Sequence, residues 1–160
     1  MADYTKDYVL ILKESLERKL NLLKEVDAIS DKQKSLLTAD VLDTDAYDAL
    51  VEEKASIADD IETIDSGFAS VYDRVAADLK NKKDRYSDEI VGMKAYISDI
   101  TELIAKIQAD EKRLFDMAKG KLDDRRKEVA IARKNNQAAT NYYKSMSQTV
   151  YDPQFMDKKK

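Results

Sequence analysis

Few side chains in this chain have a type and spacing that could do chemistry. They are the adjacent carboxylates Asp59-Asp60 and Asp123-Asp124, the run KGKLDD from Lys119, a lone Lys54 among apolar residues, and a basic stretch of Lys119, Lys121, Arg125, Arg126, Lys127, Arg133 and Lys134. Paired carboxylates do acid–base or metal work only where they converge on one point. Neighbours on a helix point about 100° apart, so both pairs read as solvated faces. KGKLDD has a glycine and two lysines but no phosphate loop around them. The chain has no His and no Cys. That removes Ser-His-Asp and Cys-His catalysis, thiolate and HExxH zinc sites, and the Glu-x-x-His di-iron bundle. The expectation is a protein that is not an enzyme, with no cofactor and no metal.

The basic stretch invites a nucleic-acid reading. Asp123, Asp124 and Glu128 are interleaved with it, and the chain as a whole carries a net charge of −4. No nucleic-acid module is recognisable, so the expected partners include no nucleic acid. The charge is nevertheless uneven. Residues 119–160 hold eleven Lys/Arg against five Asp/Glu, and residues 1–118 hold seventeen against twenty-seven. A basic arm on an acidic body suits a solvated helix face or an acidic protein partner.

These side chains must be positioned by helices. Charged residues make up 38% of the chain, with only three Gly and one Pro, a composition for long helices with charged faces. Val9, Leu12, Leu16, Leu20, Leu23, Val26 and Ile29 form one stripe, predicting a helix over about 4–36. LTADVLDT breaks the pattern and offers Thr44 as an N-cap. Tyr47, Leu50, Lys54, Ile57, Ile61, Ile64, Phe68, Val71 and Val75 then step 3-4-3-4 through a helix over 45–80. Lys54 is the polar intruder in this seam. It is expected to snorkel to solvent or to pair with a carboxylate such as Glu17 or Glu25, and Lys54→Leu is expected to leave the domain folded, or to stabilise it while loosening register. After the charged turn NKKDRYSDE, Ser87 or Asp88 can cap a third helix. Its stripe is Ile90, Met93, Ile97, Ile100, Ile104, Ile107, Glu111, Leu114 and Ala118.

Beyond Ala118 the spacing continues through Leu122, Val129, Ala132, Asn136, Ala139 and Tyr143, filled mostly with small or polar side chains. Gly120 softens the helix without breaking it. The third helix is therefore expected to run over 88–146, near 90 Å long against about 50 Å for each of the others. Its second half should overhang a bundle of three long antiparallel helices, with a fold-back at Gly120 as the alternative. The expected layout is an all-α domain over 1–146 and a flexible C-terminal tail over 147–160. The overhanging stripe of Val129, Ala132, Asn136, Ala139, and Tyr142 or Tyr143 fits an incoming amphipathic helix, with Asn136 setting register and a tyrosine as anchor. Val129→Asp and Ala139→Asp are then expected to spare stability and abolish binding. The N-terminus MADYTKDYVLIL lacks the form of a signal peptide, and no run approaches a membrane span, so the expected location is the cytoplasm.

LVEEK (Leu50–Lys54), SDITELIAKIQADEKRL (Ser98–Leu114) and EVAIARKNNQAATNYY (Glu128–Tyr143) resemble the flagellar FlgN/FliT-type export chaperones. The likeness covers essentially the whole chain as heptads and a few anchor positions. The ending QFMDKKK is similar to those of Gram-positive members. The resemblance implies a cytoplasmic chaperone that binds the helical C-terminal segment of hook-associated (hook–filament junction) proteins or of the filament cap protein, before type III export. It also implies that the client-binding region is the last helix, which carries the same stripe residues. Contacts with the export apparatus and a homodimer stay open. The other reading is a structural coiled-coil scaffold in a permanent complex. Gln148–Lys160 lies beyond the family pattern; its aromatic residues could cover the stripe until a client displaces them.

Overall fold

The computed structural model describes residues 4–121 and 133–142. Three long helices dominate it: α1 (Thr5–Thr38), α2 (Thr44–Asn81) and α3 (Ser87–Lys121). Residues 133–142 form a further helix, α4. The chain is all-α, and no helix among the described residues is long and apolar enough to cross a membrane.

Cross-helix pairs fix the topology. Thr5 Oγ1 donates to Asp78 at 2.7 Å and Lys19 reaches Asp65 at 2.8 Å, so α1 and α2 are antiparallel. Lys106 meets Asp27 at 2.5 Å and Lys121 donates to the Asp40 carbonyl at 3.2 Å, so α3 runs parallel to α1. The Lys121 ammonium also bonds the Ala39 carbonyl, placing a cation at the negative end of the α1 dipole. α1 packs closely on both α2 and α3, and the backbones of α2 and α3 stay further apart.

Local sequence explains the ends. Asp43, not Thr44, caps α2: its Oδ1 accepts from the Ala46 N–H at 3.0 Å and its carbonyl accepts from Tyr47. The Tyr86 carbonyl takes the first α3 bond, from the Ile90 N–H at 2.9 Å. Ser87 and Asp88 therefore lie inside the helix, and the buried Tyr86 ring ties the charged turn to the core. Gly120 is ordinary helix with open space where a Cβ would stand.

The stripes fill the core. All seven α1 stripe residues are buried, as are all nine predicted for α3, from Ile90 to Ala118. Each fully buried Ile or Leu contributes about 1.5–3 kcal/mol. The expected overhang does not describe residues 133–142. The Arg133 guanidinium stands 5.6 Å over the Phe115 ring, and Asn136 lies against Glu111. α4 thus runs back along α3, and Ala139 and Tyr142 pack on the main core. A stripe of small residues looks too poor to hold a helix in a bundle. Here the holding contacts lie on other helices: Phe115 and Glu111 of α3 receive Arg133 and Asn136, and the main core receives Ala139 and Tyr142. The parts of the predicted 88–146 helix at 122–132 and 143–146, and the tail over 147–160, lie outside the described residues.

Candidate docking site at a buried polar layer

A layer of buried polar side chains divides the apolar core into two clusters. A large cluster runs from Val9 to Ile29 on α1, Ile57 to Leu79 on α2 and Ile90 to Ile107 on α3. A smaller cluster of Leu37, Tyr47, Leu114 and Ala118 closes one end of the bundle. Between them lie Ser30 and Gln33 from α1, Lys54 from α2 and Glu111 from α3, all at most 6% exposed. The antiparallel register of α1 and α2 brings residue 54 level with about residue 30. Glu17 and Glu25 lie further along and are exposed, so neither pairs with Lys54.

The Lys54 ammonium is bonded to Glu111 Oε1. The other face of that carboxylate belongs to α4. With its nitrogen turned to the acceptors around it, the Asn136 amide lies 2.9 Å from Glu111 Oε2 and 2.9 Å from the Glu111 carbonyl. Ammonium, carboxylate and amide therefore form one chain of charge-assisted hydrogen bonds across α2, α3 and α4. Both charges of the ion pair are buried, so removing one leaves the other uncompensated. Lys54→Leu alone is then destabilising, which reverses the expectation from sequence.

A cavity of about 250 Å³ adjoins this layer. Gln33, Tyr47, Lys54 and Glu111 line it from the bundle, Ala55 and Ala58 form its α2 wall, and Asn136, Ala139 and Tyr142 close it from α4. Ser30 Oγ and Gln33 Oε1 are buried without a hydrogen-bond partner among the described residues. A space lined by the unpaired Gln33 oxygen is a packing defect at this layer.

Tyr47 gives the layer a pH response. Burial, then the charges of Glu111 and Asp48, push its hydroxyl from 10.0 up to about 12. A raised folded-state pKa means that the stability tied to this proton is complete below pH 10 and lost as pH rises from 10 to 12. Two pKa steps amount to about 2.7 kcal/mol. Denaturant titrations across that window should show a steep loss of stability that Tyr47→Phe flattens; an unchanged slope in the variant would place the alkaline transition elsewhere.

A second ion pair lies in the main core, where the Lys19 ammonium, 2% exposed, meets Asp65. Burial lowers the Lys19 pKa and raises that of Asp65, and their mutual attraction opposes both shifts. The sequence does not reveal this pair, because Lys19 stands one residue from the Leu20 stripe position.

Of the predicted binding stripe, Asn136, Ala139 and Tyr142 are brought together on the inner side of α4. Val129, Ala132 and Tyr143 lie outside the described residues. Ala139 packs on the core, so Ala139→Asp would bring a charge against the bundle. In the basic stretch, Lys121 and Arg133 have partners within the fold. Asp59 and Asp60 are exposed, and no metal-holding group of His, Cys, Asp or Glu occurs among the described residues. Comparison with known proteins returns no matching family model, no matching curated protein and no matching solved structure.

Proposed function

We propose that this protein is a holder of helical segments with no catalytic chemistry, an export chaperone of the FlgN/FliT kind. The groove between α2 and α3 takes a client helix in place of residues 133–142. One observation carries the reading: the groove already holds a helix, and holds it loosely. α4 meets the bundle through an amide, an alanine, a tyrosine and the exposed Arg133 over Phe115, and leaves a cavity of about 250 Å³ beside them. Releasing a small-residue helix exposes little apolar surface. A client with larger side chains gains about 0.8 kcal/mol for each CH₂ group that fills the space. Asn136, Ala139 and Tyr142 then act as the placeholder that a client exchanges with. The clients are the helical C-terminal segments of hook-associated or filament cap proteins, held in the cytoplasm until type III export.

The test is calorimetric titration of the full chain with those segments. Binding near 1 μM, about −8 kcal/mol, is expected. Ala55→Arg, on the exposed α2 wall of the cavity, should weaken it by about tenfold or more and leave the melt unchanged. Absence of binding by every segment, or binding indifferent to Ala55→Arg, sinks the proposal. A coiled-coil scaffold in a permanent complex is the second reading. It draws on Leu10 and Ile11, each 43% exposed, and Val91, 66% exposed, towards the other end of the bundle. That reading predicts a stoichiometric partner that co-purifies from the native organism and does not exchange.

A further inference from the structure

Resting on the reading that a guest helix takes the place of residues 133–142, we propose that the groove selects its guest by a side-chain amide. The partner is an amphipathic helix that places Asn or Gln against Glu111, a small residue three positions later and an aromatic residue six positions later. The resident helix supplies the template in Asn136, Ala139 and Tyr142.

The chemistry of the polar layer explains why the head group must be an amide. Lys54 occupies Glu111 Oε1, which leaves Oε2 and, beyond its helical bond within α3, the second lone pair of the Glu111 carbonyl facing the groove. Both are acceptors, and both lie 2.9 Å from one nitrogen of the guest position. An amide NH₂ carries two donors on one neutral atom. A lysine would also donate twice, but it sets a second buried cation beside Lys54. An aspartate opposes Glu111. A serine has a single donor, and a leucine leaves the Oε2 of a carboxylate that is only 5% exposed without a partner. The ion pair is neutral as a unit, so only a neutral double donor completes it without an unbalanced charge. Gln33 points independently to a polar guest: it is 2% exposed, lines the cavity beside Asn136, and its Oε1 has no partner among the described residues.

The selection can be read in trans on the full chain. Asn136→Asp in the protein sets a carboxylate against Glu111 and releases the resident helix. A fluorescent peptide of residues 129–146 should then bind this variant about tenfold more tightly than it binds the wild-type chain, where the tethered helix competes. Against the same variant, peptides with Leu, Asp or Lys at the Asn136 position should bind about tenfold or more weakly, and a peptide with Gln should bind like the parent. Adding Lys54→Met and Glu111→Met to the protein should abolish this ranking and let the Leu peptide bind at least as well. A Leu peptide that equals the Asn peptide on the intact ion pair overturns the amide selection and leaves the groove as a guest site. If no peptide binds, the groove itself fails as a guest site and the selection fails with it.

Discussion

Ile61→Asp abolishes cooperative unfolding at neutral pH, and Ile100→Asp does the same from the facing helix. Both isoleucines are 0% exposed, one on α2 and one on α3. Each substitution forfeits about 1.5–3 kcal/mol of side-chain burial. It also sets a carboxylate with no partner among apolar neighbours, at a cost of several kcal/mol more. Domains of this kind are held by about 5–15 kcal/mol in total, so the two losses together consume most of the margin. A buried, unpaired carboxyl has a raised pKa; acidification should therefore restore part of the helical signal, which an over-packed or cavity-bearing variant would not show. Ile11→Asp is the control. Ile11 is the same residue type on α1 but 43% exposed, and its variant should melt close to the parent. Circular dichroism melts of the three variants settle the point: an Ile61→Asp protein that melts like wild type would remove Ile61 from the core.

The buried faces of α1 and α3 are legible in sequence because steps of three and four report which side of a helix leaves water. On α2 the middle of the stripe is buried, but Leu50, Phe68 and Val71 are half-buried and Tyr72 and Leu79 are buried instead. Val9 through Ile29 and Ile90 through Ala118 are buried position by position. Periodicity does not report which helix covers that side. The return of α4 is hidden for this reason: Asn136 and Ala139 carry almost no apolar signal, and what holds them, Glu111 and the main core, lies on other helices. Tyr86 is masked by its charged neighbours, since a single buried ring in a turn has no period. The polar layer is half legible. Lys54 and Glu111 stand as intruders in two separate stripes, and two opposite charges in otherwise apolar heptads could be paired across the bundle. Gln33 and Ser30 give no such signal: Ser30 stands beside the Ile29 stripe, and Gln33, though on its next step before the buried Leu37, is neutral and names no partner.

Lys54→Leu lowers stability by about 3–5 kcal/mol, even though it adds a leucine to an apolar seam, because it strips the counter-charge from a carboxylate buried to the same degree. Glu111 is 5% exposed and Lys54 is 6% exposed. Without the ammonium, the Glu111 carboxylate keeps only the Asn136 amide, one neutral donor group for a full negative charge. Glu111→Leu should cost a similar amount by stranding the ammonium. The double variant Lys54→Leu/Glu111→Leu behaves differently: exchanging a whole buried ion pair for packed hydrophobic residues is neutral or stabilising by about 1–4 kcal/mol. Denaturant melts of the four proteins form a double-mutant cycle, in which the two single losses greatly exceed the change in the double variant. If the double variant falls by the sum of the singles, the pair is not coupled and the polar layer is misassigned. The cycle also separates stability from specificity. In the double variant the Asn136 amide keeps only the backbone carbonyl at position 111 to grip, since both charged side chains are gone. Amide protons of 133–142 should therefore exchange faster there than in wild type, while those of α1 and the Ile-rich half of α3 exchange no faster. A core that gains stability as its last helix loosens is the outcome expected of a polar layer whose role is to decide which helix fills the groove.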